Sequence, residues 1–177
     1  MGFYSKYVLP WLFEWSLKCK TIDEYRREVL SGVDGEILEI GFGTGHNLPF
    51  YPKNINRITA IDLNPGNTKL AKSKIRNSNI YVDHRIADCK DLPFESDQFD
   101  TVVSTFTLCS IDNLEKAISE IKRVMKPGGV FRFIEHGLSN EERIQKWQNL
   151  LTPVQKRIAD GCHLNRNMEN ILGSHFE

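Results

Sequence analysis

Glu39-Ile40-Gly41-Phe42-Gly43-Thr44-Gly45-His46-Asn47 decides the fold of this chain. Three glycines at alternate positions follow a short apolar run, Glu36 to Ile40. Such a turn needs residues without Cβ, so that backbone N–H groups come close to a ligand. A glycine loop alone is a weak signal, because many strand-to-helix turns carry one. The residues around it decide.

Four more short apolar runs follow: Arg57 to Asp62, Asn79 to Asp83, Phe99 to Ser104, and Val130 to Glu135. Helical patterns separate them, clearest over Pro65–Arg76 and Asn113–Met125. Asp112 reads as the N-cap of the latter, and Lys126-Pro127-Gly128-Gly129 reads as its stop. Strand and helix in alternation predict an α/β fold, a doubly wound parallel sheet with right-handed crossovers. No internal repeat or low-complexity stretch interrupts it.

Two carboxylates fall where a ligand at the glycine loop would meet them. Asp62 ends the second run, where a doubly wound fold presents it to both hydroxyls of a ribose. The competing role for Asp62 is a turn residue before Asn64-Pro65-Gly66. Asp88 follows the third strand and reaches the same crevice, where it suits an adenine amino group. A solvated loop aspartate is its alternative. The spacing G-x-G-x-G differs from the G-x-G-x-x-G of dinucleotide loops, and position 46 is His. Glu39 would repel a pyrophosphate but suits a positive amino group, directly or through water. Adenosine at one end and an amino acid at the other describes S-adenosyl-L-methionine.

With these residues in view, the chain resembles the class I S-adenosylmethionine-dependent methyltransferases, with a Rossmann-like fold. The resemblance runs from about residue 35 onward. It is carried by Glu39 to Gly45, Ile61-Asp62, Ala87-Asp88, Leu92-Pro93-Phe94, Phe99 to Val103, and Met125 to Gly129. A narrower likeness to thiol S-methyltransferases, and more loosely to quinone-biosynthesis methyltransferases, rests on further segments. These are Phe3-Tyr4, Asn47 to Tyr51, Ser104 to Ser110, Ile134 to Gly137 and Asp160 to Arg166. It implies a small-molecule acceptor of thiol, phenol or quinol type and in-line displacement of the methyl group. For the cofactor it implies Tyr4, Glu39, Gly41, Phe42, Gly43, Gly45, Asn47, Asp62, Leu63, Asp88, Cys89, Thr105 and Phe106. His136 and His163 are the candidates for a base. For each of them an ordinary hydrogen-bonded histidine is the alternative. Ser-Thr-Phe-Thr after the fourth strand, in place of Asn-Pro-Pro-Tyr, argues against amino-methylation of adenine or of glutamine amides. The absence of a Pro-Cys dipeptide argues against covalent cytosine chemistry.

Composition sets bounds on this reading. The chain has 177 residues, with 23 Lys plus Arg balanced by 23 Asp plus Glu. That length suits one domain with a sizeable core. Zero net charge argues against a general nucleic-acid binder. Cys19, Cys89, Cys109 and Cys162 are far apart, so no metal site is expected, and free thiols in the cytoplasm are the simplest reading. No apolar stretch reaches the ~20 residues that span a bilayer, so no stable membrane insertion is expected.

The two ends carry separate expectations. Phe3, Tyr4, Tyr7, Trp11 and Trp15 recur at helical steps. Residues 1–30 are read as a helical segment that covers core, forms a lid on the cofactor cleft or lies on a membrane surface, and residues 31–177 as the cofactor domain. Past Ile134 only helix-like stretches remain, Glu141–Asp160 and Asn167–Ser174. The resemblance implies two further strands, which need about 15–20 residues. The expectation is therefore five strands in the order 3-2-1-4-5. Their open edge favours a homodimer. The competing function is a cofactor-binding module with little or no turnover. A nicotinamide oxidoreductase is disfavoured by His46, where the dinucleotide pattern places its third glycine, and by the short chain.

Overall fold

The computed structural model describes residues 4, 7–16 and 19–176. Phe3 and the side chain of Trp15 lie outside the described part. Two helices, α1 (Leu9–Ser16) and α2 (Lys20–Leu30), lead into the alternating body. That body comprises β1 (Ile37–Ile40), β2 (Arg57–Asp62), α3 (Pro65–Arg76), β3 (Tyr81–Ile86), β4 (Phe99–Thr105), α4 (Leu114–Val124) and β5 (Met125–Ile134). Helices α5 (Glu142–Ile158) and α6 (Met168–Gly173) follow. The sheet is wholly parallel, with the order β3-β2-β1-β4-β5. The order and the strand number are those expected.

β1 is central and buried along its whole length. Its residues alternate between two cores, as period-two side chains must. Leu38 and Ile40 face a cluster with Val102, Ile118 and Ile121, and Ile37 faces one with Leu30, Phe42 and Ile58. Helix α4 shows why a sequence of this pattern is helical here. Leu114, Ala117, Ile118, Ile121 and Val124 are its buried residues, spaced along one stripe. Each of its larger apolar side chains stabilises the fold by roughly 1.5–3 kcal/mol through burial.

Three local expectations are corrected. Asn113, not Asp112, caps α4: its side chain accepts from Lys116 N at 3.2 Å. Asp112 instead accepts from Asn113 N and from Lys90 Nζ, at 2.8 and 2.6 Å. Lys126 to Gly129 do not separate helix from strand. Met125 already pairs with Phe99, and the Pro-Gly-Gly segment forms a bulge within β5, with Gly128 at φ +77°. β3 begins at Tyr81 rather than Asn79 and runs on through three polar residues, because as an edge strand it is only half covered.

α1 is fastened onto the glycine loop. Glu14 accepts from Thr44 Oγ1 at 2.6 Å and from Lys74 Nζ of α3 at 2.7 Å, and His46 Nε2 lies 3.0 Å from it. Among the described residues no helix is long and apolar enough to cross a membrane.

Candidate functional site

A cavity of about 380 Å³ opens at the C-terminal edge of the sheet, among the turns that follow β1, β2, β3 and β4, where the strand order reverses between β1 and β4. Doubly wound sheets place ligands there. Its floor is the glycine loop. Gly41, Gly43 and Gly45 have φ of +73°, +57° and +77°. At Gly41 an added Cβ would lie 1.9 Å from Thr107 Oγ1, so β1 and the turn after β4 meet only because this residue is glycine. Gly43 is different, since a Cβ there would meet only Gly41 O at 3.9 Å. Its left-handed backbone is what requires glycine.

Ten of the residues expected at the cofactor line this cavity: Gly41, Phe42, Gly43, Asn47, Asp62, Leu63, Asp88, Cys89, Thr105 and Phe106. Asp62 organises the loop. Its Oδ2 accepts from Gly43 N at 2.7 Å, and its Oδ1 accepts from Asn64 N at 2.7 Å and Asn67 Nδ2 at 3.1 Å. Burial holds its pKa above the ordinary carboxylate range, against the pull of those donors. A carboxylate offers about four acceptor sites. Three are filled, so both hydroxyls of a ribose cannot simply be added; one can, and a second requires a resident donor to yield. Asp88 accepts from Lys90 N at 2.9 Å, and Lys90 Nζ sits 3.6 Å from its other oxygen. Phe106 has φ +53°, a left-handed backbone that costs a non-glycine residue about 1–2 kcal/mol. Strain of this kind collects at ligand sites.

Five expected residues do not line the cavity. Glu39 is 1% exposed and lies one layer below, accepting from Asn47 Nδ2 at 2.9 Å and Tyr51 Oη at 2.7 Å. Of the two expected roles, direct or water-mediated contact with an amino group, this position gives Glu39 no place in the cavity wall; what it holds is Asn47, which does line the cavity. Gly45 packs against Leu48 and the Phe42 ring. Tyr4 donates to the carbonyl of Ile158 at 3.0 Å, at the end of α5. His136 Nε2 meets Cys162 Sγ at 3.1 Å, and His163 Nδ1 meets the Cys109 carbonyl at 3.3 Å. Neither histidine reaches the cavity wall, so neither is placed as a base by this geometry.

Sequence reasoning missed Arg26. It is 2% exposed, lines the cavity, and donates to Asn47 Oδ1 and, at 3.3 Å, to Thr105 Oγ1. Its Nε is buried with no partner. Its guanidinium also stacks 5.7 Å from the Phe106 ring. A charged residue on a polar helix reads as solvated, and only its position on the buried side of α2 distinguishes it. The three thiol- and imidazole-bearing residues Cys109, His136 and Cys162 were likewise invisible as a group. The structure brings their ligand atoms within 4.8 Å of one another.

Burial raises the Glu39 pKa from 4.5 to about 7, although Tyr51, Asn47 and Arg26 oppose the shift. Between those values the native protein keeps a proton that the unfolded chain has lost. Stability therefore falls as pH rises through that window and levels off above it. Glu39→Gln removes this dependence. The melting temperature of Glu39→Gln relative to the parent is expected to climb between about pH 5 and 8, equivalent to at most about 3 kcal/mol. Parallel pH profiles for the two proteins would contradict the assignment.

The methyltransferase domain family matches residues 38–133. Thiol S-methyltransferase TMT1B of Rattus norvegicus is 38% identical over 83% of this chain and 65% of its own length. Thiol S-methyltransferase TMT1A of Homo sapiens is 37% identical over 73% of this chain and 54% of its own. The chain thus spans less than two thirds of either relative. Among solved structures, the YcgJ protein from Bacillus subtilis shares the fold, with a TM-score of 0.70 at 17% identity over 85% of this chain and 65% of its own.

Proposed function

Because the chain belongs to the class I S-adenosylmethionine-dependent methyltransferases, we propose that it methylates the sulfur of a small thiol, with the cofactor held in the cavity above the glycine loop. The observation that carries this is the convergence of Gly41 and Gly43, Asp62 and the buried Arg26 on one cavity. The residues fit such a ligand. Asp62 and Asp88 serve its nucleoside end, with Leu63 and Cys89 against the base. Arg26, with an unpaired Nε, supplies the positive charge that an amino-acid carboxylate needs. Asn47, oriented by Glu39, adds a polar contact at the same end.

The cofactor, when bound, supplies a methyl group already activated on a sulfonium. What remains for the protein is positioning and exclusion of water. Phe106 and Thr105 wall the cavity where β4 ends, and α1 is fastened to the glycine loop through Glu14 and Thr44. We propose that residues 1–30 act as a lid segment on the domain formed by the rest. A thiol is about a few per cent ionised at neutral pH. It needs no base poised on it, which agrees with the distance of His136 and His163 from the cavity. The thiol S-methyltransferase relatives favour sulfur over phenol or quinol oxygen.

Two measurements test this reading. Calorimetry is expected to show one-site S-adenosylmethionine binding. Release of S-adenosylhomocysteine is expected with alkyl thiols at least about tenfold faster than with phenols or quinols, the scale of a difference of 1.4 kcal/mol. Faster turnover of an oxygen acceptor would reassign the substrate. Binding without turnover of any acceptor would leave a cofactor-binding module.

A further inference from the structure

We propose that Cys109, His136 and Cys162 form a three-ligand site for zinc, set behind the wall of the cofactor cavity. The three residues come from separate parts of the chain. Cys109 lies in the 3-10 turn Leu108–Ser110 after β4, His136 just beyond β5, and Cys162 in the loop after α5. The two sulfurs are 3.9 Å apart, His136 Nε2 is 3.1 Å from Cys162 Sγ, and the third pair, His136 with Cys109, lies within 4.8 Å, so the imidazole would swing from Cys162 toward Cys109 to share an ion. Tetrahedral zinc, with Zn–S about 2.3 Å and Zn–N about 2.0 Å, needs sulfurs ~3.8 Å apart and a sulfur–nitrogen separation of ~3.5 Å. A disulfide would need the sulfurs at about 2.05 Å, well inside what is seen. Two thiolates and an imidazole are a donor set that selects zinc over hard cations.

The surroundings are built to hold this arrangement. The Glu135 carboxylate accepts from the backbone N–H groups of Thr107, Leu108 and Cys109, at 2.7, 2.7 and 3.3 Å, which fixes the Cys109 turn. His163 N donates to the Cys109 carbonyl at 2.9 Å, and Arg166 Nη1 donates to the Leu108 carbonyl at 2.7 Å. Gly161 has φ +89°, and a Cβ there would stand 2.9 Å from the Ser110 carbonyl. The loop approaches the turn this closely only through glycine. Cys109 and Cys162 are buried, with 2% and 6% exposure, so an ion here would be shielded from solvent on most sides. It would tie the α5–α6 connection to the ends of β4 and of the edge strand β5.

The test is metal content, independent of methyl transfer. The full chain, purified under reducing conditions and exposed to zinc, is expected to retain about one zinc per molecule by mass spectrometry. Cobalt substitution is expected to give the visible bands of a tetrahedral site with sulfur-to-cobalt charge transfer. Cys162→Ser, Cys109→Ser and His136→Ala should each lower zinc occupancy at least tenfold, while Cys89→Ser and Cys19→Ser should not. If the site variants fail to fold, the cobalt spectrum of the parent protein decides alone. Reduced parent protein without thiolate–cobalt bands would overturn the proposal. So would full zinc retention by Cys162→Ser, or a Cys109–Cys162 disulfide in place of metal.

Discussion

Gly41→Ala is expected to remove cofactor binding and to lower the melting temperature by about 6–12 °C, the equivalent of roughly 3 kcal/mol in a chain of this size. Two effects add. The backbone at Gly41 is left-handed, at φ +73°, which costs a residue with a Cβ about 1–2 kcal/mol. The new Cβ would also stand 1.9 Å from Thr107 Oγ1, 2.4 Å from its Cγ2 and 2.7 Å from its Cβ. All three atoms of the threonine side chain crowd the position, so turning it about χ1 gives no relief. The clash separates β1 from the turn after β4, which are two walls of one cavity. Adding Thr107→Ala to Gly41→Ala should restore part of the stability, since the clashes with Oγ1 and Cγ2 go while the 2.7 Å approach to Cβ and the backbone strain stay. Thermal melts and calorimetry of the single and double variants check this. An unchanged melting temperature in Gly41→Ala would show that the loop is laxer than its geometry.

Asp62→Ala should weaken S-adenosylmethionine roughly 10- to 150-fold, the range for losing a hydrogen bond to a charged group. It should also leave Gly43 N and Asn64 N without their acceptor, at a cost of about 1–3 kcal/mol for each donor that stays dry. The variant therefore combines a binding defect with a loosened glycine loop. Asp62→Asn separates the two. Its amide oxygen can still accept from one backbone donor, so the fold is expected to recover more than the affinity does. The kinetic signature is a raised KM for the cofactor with an unchanged KM for the acceptor. A rise confined to the acceptor would place Asp62 on the other side of the reaction.

How much of this was legible depends on how locally each feature is encoded. Helix α3 was found to the residue, because Asn64-Pro65 both caps it and fixes its first turn. The glycines and Asp62 were legible because each follows directly from the end of its own strand, β1 or β2. The start of β5 was not, since Lys-Pro-Gly-Gly reads as a stop and becomes a bulge only when Met125 pairs with Phe99. Arg26 was hidden by its helix, where a charge normally means solvent. Glu39 stood out in the sequence, but its depth beneath Asn47 depends on Tyr51, which arrives from a separate turn. Cys109, His136 and Cys162 lie too far apart in sequence for any spacing rule, and only the return of the α5–α6 connection joins them.

The pairing of β1 with β4 also governs how the protein reaches this state. Leu38 stands opposite Val102, so pairing β1 with β4 closes a loop that contains the whole β2–α3–β3 unit. Closing a loop of that length costs entropy before any contact rewards it, and parallel sheets dominated by such contacts fold slowly. Gly41 and Thr107 belong to those same two strands' ends. The cavity therefore exists only where β1 and β4 are paired, and a ligand that occupies it acts as a brake on any opening that parts those strands rather than on fraying at the chain ends.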